Sequence, residues 1–214
     1  KGMGTYNKGI LGAFSGKVGP VVGASWRGKE VMRSLPKKSN RVASALQQQQ
    51  RQKFAMVNDF LGGVQPVIKR YYGNDSGIKT RRNQAMSYLM REALVFNDPD
   101  YEWDYSKVLI SRGDLTGIED ATLDVAAGAI SVIWTDNSDQ GEALADDQLV
   151  LVVYDPVTKA VVYSLAAGER ADEAAALAIP SYLDGAEVQV WATFVAADEK
   201  LFATSLYLGS ITVI

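Results

Sequence analysis

Between Val42 and Leu94 the apolar residues recur every three or four positions, and beyond Tyr105 they recur every second one. The first spacing is that of one helix face, and the second is that of a half-buried strand. Val42, Leu46, Gln49, Lys53, Phe54, Val57, Phe60 and Leu61 lie mostly on one face. They predict a helix that starts after an N-cap at Ser39 or Asn40 and ends at Gly62-Gly63. A short second helix is predicted over 64–72, stopping at Gly73-Asn74. A third runs from about residue 80 to 96, with Ala85, Met86, Leu89, Met90, Ala93 and Leu94 on one side, and Asn97-Asp-Pro-Asp100 closes it.

The alternating half predicts strands over 106–111, 121–125, 129–135, 148–154, 160–165, 174–179, 187–194 and 202–211. Asp155-Pro-Val-Thr158, Leu183-Asp-Gly185 and Asp198-Glu-Lys200 supply turns between them. Short strands at near-regular spacing, with no helical pattern between them, point to an antiparallel sandwich rather than a parallel sheet. Ahead of the helices, glycines at 4, 9, 12, 16, 19, 23 and 28 interleave with Ile10, Phe14, Val18, Val21, Val22 and Trp26. Residues 23–26 and 30–33 read as a hairpin turning at Gly28, and Pro20 makes the preceding strand an edge or an irregular one. So glycine-rich an arm packs little, and it is expected to order only where it docks onto something else. The predicted fold class is α+β: a Gly-rich β-hairpin arm and about three helices in residues 1–100, then an antiparallel β-sandwich in residues 101–214.

Charge divides the chain at the same place. Residues 1–100 hold 17 Lys/Arg against 6 Asp/Glu, and residues 101–214 hold 5 against 19, inside an overall net charge of only −3. Asymmetry of this kind bears on partners and assembly rather than on fold. The 214 residues contain neither Cys nor His. Disulfides, thiolate chemistry, Ser-His-Asp and Cys-His triads and an ordinary zinc or copper site are thereby excluded. Carboxylate chemistry, Ser–Lys or Tyr–Lys pairs and hard-cation binding remain. No apolar run reaches the roughly 18–20 residues that span a bilayer. With no signal peptide visible, the expectation is a cytoplasmic or phage-like particle setting rather than secretion.

Two resemblances add to this reading. Met3-Gly-Thr-Tyr-Asn-Lys-Gly-Ile10, Gly16-Lys-Val-Gly-Pro-Val-Val-Gly23 and Trp26-Arg-Gly28 resemble the opening of an uncharacterised bacterial family of the Bacteroidetes type. That resemblance spans most of the chain and implies no activity, cofactor or catalytic residue. Ile130-Ser-Val-Ile-Trp134, and Ile179-Pro-Ser-Tyr182-Leu-Asp-Gly185 leading into Val188-Gln-Val-Trp191, resemble the fibronectin type III or immunoglobulin-like sandwich. The Tyr expected after the corner glycine is missing, and this fold hosts many roles. The Gly-rich hairpin followed by a Gln/Arg helix is also similar to short proteins of phage structural gene clusters.

The motifs that carry chemistry are few. Around Gly16-Lys17 a phosphate loop would need Gly and Ser/Thr where this chain has Leu11 and Val18. Ser34-Leu-Pro-Lys37 and Ser76-Gly-Ile-Lys79 fit S-x-x-K, but Pro36 and Gly77 spoil the helix that would set Lys beside Ser. No catalytic, cofactor-binding or metal-ligating residue is assigned. The possible interaction surface is Trp26, Arg27, Lys29, Arg33, Lys37, Lys38 and Arg41. Positive charge beside an aromatic ring suits a nucleic-acid backbone or an acidic protein surface. The attached acidic half repels phosphate, which favours a protein partner or self-association into a homo-oligomer. Asp136, Asp139, Glu142, Asp146 and Asp147 crowd one loop at spacings that fit no defined calcium loop, and calcium there stays open. Trp134 and Trp191 read as sandwich core. Tyr101, Trp103 and Tyr105 read as linker aromatics, with a sugar-binding strip as the alternative. The expected function is a non-enzymatic structural or protein-interaction module assembling through its arm. Nucleic-acid binding by the basic half is the first alternative, and a carboxylate-based glycosidase or sugar-binding protein the second.

Overall fold

The computed structural model of the chain describes residues 5–6, 13–26, 29–36, 42–74, 79–126 and 128–214. The chain divides into two compact units, Lys1–Ser44 and Ala45–Ile214. The first is an antiparallel meander of β1 (Thr5–Tyr6), β2 (Phe14–Val18), β3 (Val21–Trp26) and β4 (Lys29–Ser34) in that order. The predicted hairpin is β3–β4, with Val21 opposite Ser34 and Trp26 opposite Lys29. Pro20 sits in the β2–β3 turn beside Gly19, whose φ of 56° suits glycine. Gly28, Ser39 and Asn40, to which a turn and an N-cap were assigned from sequence, lie outside the described residues.

The second unit opens with α1 (Ala45–Gly63), α2 (Gln65–Tyr71) and α3 (Arg81–Glu92). Thr80 caps α3, its hydroxyl accepting from the Asn83 amide. The helix periodicity overran at both ends: α1 begins at Ala45 rather than just after residue 40, and Val42, Leu46 and Phe54 of its predicted face are exposed, leaving Val57, Phe60 and Leu61 to make the contact. Residues 94–97 are not helical but form β5 (Leu94–Asn97), paired with β6 (Asp100–Trp103) around a cis Asp98-Pro99 bond. Val95 and Phe96 prefer extended backbone, and Ala93 already closes the helix through its amide on the Leu89 carbonyl.

Seven further strands follow: β7 (Glu119–Ala126), β8 (Ala129–Thr135), β9 (Gln148–Tyr154), β10 (Val161–Ser164), β11 (Ala174–Ala178), β12 (Glu187–Val195) and β13 (Leu206–Thr212). They form two antiparallel sheets, ordered β10-β9-β12-β13 and β11-β8-β7. The strand expected over 106–111 is absent. A 3₁₀ turn (Tyr105–Lys107) leads instead into an extended tether. Its backbone bonds outward to Tyr71, Gly73, Phe202 and Ser205 rather than along a ladder. The last predicted strand is likewise shorter, because Phe202 and Ala203 make only isolated bridges before β13.

Strand parity sorts the apolar residues into two cores on opposite faces of the four-stranded sheet. Leu149, Leu151 and Val153 of β9 and Val188, Val190, Ala192 and Phe194 of β12 pack with Ile130, Val132, Trp134 and Leu177 of the other sheet. Val150, Val152, Tyr154, Trp191 and Val195 point the other way, onto Val57, Phe60, Leu61, Val67, Ile68 and Leu89 of the helices. This explains why β9 is buried from Leu149 to Tyr154 without alternation: both its faces are covered. Trp134 lies between the sheets as expected, whereas Trp191 lies beneath the helices. The fold is α+β with antiparallel sheets, and α1–α3 share a core with the acidic strands although they lie before the charge reversal.

Candidate functional site

The β3–β4 register brings part of the predicted interaction surface together. Directly paired residues share a face, and so do residues two apart. Trp26, Lys29 and Arg33 therefore lie on one face, with Lys17 opposite Val22 and Val31 opposite Ala24. Arg27, Lys37, Lys38 and Arg41 lie outside the described residues. This unit carries scarcely any core: among its described residues only Gly23 is buried. A Cβ at Gly23 would fall 1.9 Å from the Phe14 carbonyl oxygen, so the backbones approach too closely there for a side chain. Val18, Met32 and Leu35 are exposed by 46%, 72% and 39%.

The acidic loop is organised by one cation that its sequence neighbourhood does not announce. Arg170 is wholly buried and pairs with the equally buried Asp147 at 3.0 Å. Its guanidinium also donates to the Thr116 carbonyl at 3.0 Å, to the Gly117 carbonyl and to the Asn137 side-chain oxygen. It lies 3.9 Å over the Phe194 ring, and its own carbonyl accepts from the Trp134 indole at 2.8 Å. The Asp147 carboxylate also accepts from the Leu144 amide, which folds the 144–147 turn. Asp136 is used locally, accepting from the amide and hydroxyl of Ser138. No group of three or more candidate metal ligands occurs among the described residues.

A second polar knot ties the tether to the sheet. The Ser111 hydroxyl, Thr193 Oγ1 and the Ala203 carbonyl oxygen lie within hydrogen-bond reach of one another, the two hydroxyls supplying the protons, while Ser205 Oγ accepts from the Ile110 amide. All three hydroxyl residues are buried and bonded, which suits structure rather than nucleophilic attack.

Two clefts remain. One, of about 320 Å³, is lined by Asn74, Gln84, Arg112, Asp114, Lys200 and Thr204. The other, of about 330 Å³, runs between α1, the end of β6 and the β9–β10 turn. α1 contributes Gln52, Ala55, Met56 and Asp59, and Trp103, Tyr105, Tyr154, Pro156 and Lys159 form the rest. The Trp103 and Tyr105 rings are 6.1 Å apart and within 17° of parallel. Asp59 and Lys159 pair across its mouth at 2.8 Å. Of the three aromatics singled out from sequence, Tyr101 departs: its ring packs on Phe96 and lies under Lys53 Nζ at 4.5 Å. Gln52, Asp59, Tyr154 and Lys159 could be gathered only by the tertiary fold.

The family model of a family of unknown function (DUF6266) matches residues 13–209. The chain belongs to that family. The match runs from the residue before β2 into β13, so the family's shared length takes in strands of both compact units. No curated protein and no solved structure matched the chain. No helix among the described residues is long and apolar enough to cross a membrane.

Proposed function

We propose that the chain is a non-enzymatic assembly module. In this reading residues 45–214 are the scaffold and residues 1–44 make the contact with a protein partner, first of all a second copy of the chain. The observation that carries it is a four-stranded meander in which, among the residues whose burial is described, only Gly23 is buried, and Val18, Met32 and Leu35 face solvent. A sheet holds its shape by covering one face, and this one has almost nothing of its own to cover it with. β4 is an edge of that sheet, and Lys29 and Arg33 on it are charges of the kind that steer edge pairing toward an acidic partner. Residues 101–214, with 5 Lys/Arg against 19 Asp/Glu, are such a surface. The strand orders β11-β8-β7 and β10-β9-β12-β13, facing across one core, support a fibronectin type III or immunoglobulin-like sandwich as the scaffold.

Sedimentation velocity of the full chain across a wide concentration range tests the reading. A mass above the monomer that falls to the monomer in Met32→Lys is the expected result. A monomer at every concentration, or an oligomer indifferent to Met32→Lys and to removal of residues 1–44, would overturn it.

A further inference from the structure

We propose that the cleft between α1, the end of β6 and the β9–β10 turn binds a neutral saccharide. The site is independent of the assembly reading, since every residue in it belongs to the second unit.

A pyranose presents a face of C–H groups and a rim of hydroxyls that both donate and accept. The cleft offers a counterpart to each. Trp103 and Tyr105 stack with ring centroids 6.1 Å apart and 17° from parallel, and they give the cleft an aromatic platform whose negative surface suits C–H groups. Tyr154 closes one end, 6.3 Å from Tyr105 and inclined at 52°. Gln52, Ala55, Met56 and Asp59 follow i, i+3, i+4, i+7 spacing, so α1 lays a single wall with polar groups at both ends. Asp59 accepts, Lys159 donates and Gln52 does both, the combination that hydroxyl groups require.

The site is built before any ligand arrives. Trp103 packs on the buried Phe60 ring at 5.1 Å, and Phe60 packs edge-on against Tyr154, also at 5.1 Å. Platform rings wedged in this way have little rotamer freedom left to lose, which lowers the cost of binding. At about 330 Å³ the cleft lies at the small end of ligand sites, room for one or two sugar rings. Like any tyrosine, Tyr105 keeps its proton at neutral pH, and burial pushes its pKa further up, so its hydroxyl stays both donor and acceptor.

Charge selects against ionic ligands. Asp59 and Lys159 neutralise one another, and the Gln52 amide already donates to Asp100 at 2.7 Å. A phosphate or uronate would meet no unpaired cation among these groups and two carboxylates nearby.

The test is an NMR titration of the ¹⁵N-labelled full chain, following the indole N–H signals. The probes are hexasaccharides of glucose, xylose and N-acetylglucosamine, with a glucuronate oligomer, inorganic phosphate and adenosine as controls. Saturable movement of the Trp103 signal with at least one neutral hexasaccharide, and none of Trp134, is expected. Asp59→Ala, at the exposed rim, should weaken that binding at least tenfold while leaving the spectrum folded. This variant keeps the test valid should Trp103→Ala fail to fold. No saturable shift with any neutral probe would overturn the proposal. So would binding unaffected by Asp59→Ala, or tighter binding of glucuronate, phosphate or adenosine than of every neutral saccharide.

Discussion

Replacing Asp147 by Asn removes one charge from the interior and changes almost no volume. Arg170 would then keep its positive charge with its side chain wholly buried. Only neutral acceptors would be left to it: the Thr116 and Gly117 carbonyls, the Asn137 amide oxygen and the oxygen of the new amide itself. Breaking a buried pair from one side costs about 3–5 kcal/mol, because the remaining ion has lost both its water and its counter-ion. Against a total stability of about 5–15 kcal/mol this is a large fraction. For a unit of this size each kcal/mol moves Tm by about 2–4 °C, so a fall of about 6–20 °C is expected. Urea unfolding followed by tryptophan fluorescence reads the same loss, and Trp134, bonded to the Arg170 carbonyl, sits beside the change. Arg170→Met combined with Asp147→Leu should be more stable than Asp147→Asn alone, since the stranded charge is gone. Recovery stays partial because the two carbonyls and Asn137 lose their donor. The exposed Lys159–Asp59 pair is the control: Lys159→Ala should cost no more than about 1 kcal/mol. If Asp147→Asn costs as little as Lys159→Ala, the claim that this pair holds the loop fails.

Three further outcomes follow from the packing. Phe60→Ala removes the ring that touches Trp103, Tyr154 and Trp191, and should cost about 3–5 kcal/mol in urea melts; a loss under about 1 kcal/mol would mean the helices do not share that core. Gly113→Ala would put its Cβ 2.0 Å from the Phe202 carbonyl oxygen and 2.5 Å from its ring. It should destabilise by about 2 kcal/mol or more, read by thermal melt. Burial pushes the Asp155 carboxyl up, but bonds from the Thr158 hydroxyl and the Val157 and Thr158 amides outweigh it, and the pKa ends below its ordinary value. A carboxyl depressed on folding stabilises above its unfolded pKa, near 3.9, and loses that contribution as pH falls through the folded value. Asp155→Asn should therefore flatten the acid limb of a urea-midpoint profile below about pH 4. An unchanged limb would count against the turn's role.

The candidate sites were legible in part. The run Tyr101 to Tyr105 drew notice from sequence because aromatics alternate with acids, and two of its three rings do line the aromatic cleft. Their polar companions were not visible, since Asp59 and Lys159 stand 100 positions apart. Trp26, Lys29 and Arg33 share a face only in the observed register: a hairpin of residues 23–26 and 30–33 leaves Lys29 in its turn, whereas Trp26 pairs with Lys29 directly. Arg170 gave no signal at all. A single Arg amid acids reads as a solvated charge, and only its contact with Asp147, 23 residues away, makes it interior.

By itself the sequence determined what local sterics and spacing can decide. It set the helix faces of α2 and α3 and of the C-terminal part of α1, the period-two strands from β7 to β13, and the absence of sulfur and imidazole chemistry. The tertiary structure decided which layer covers each face. Parity already put Trp191 on the side of β12 opposite Phe194, but parity is silent on whether helices or a second sheet lie there. Residues 94–96 likewise carried a helical spacing until pairing with Tyr101 to Trp103 gave their backbone better partners. Burial and non-local hydrogen bonding act between segments, and spacing within one segment cannot encode them.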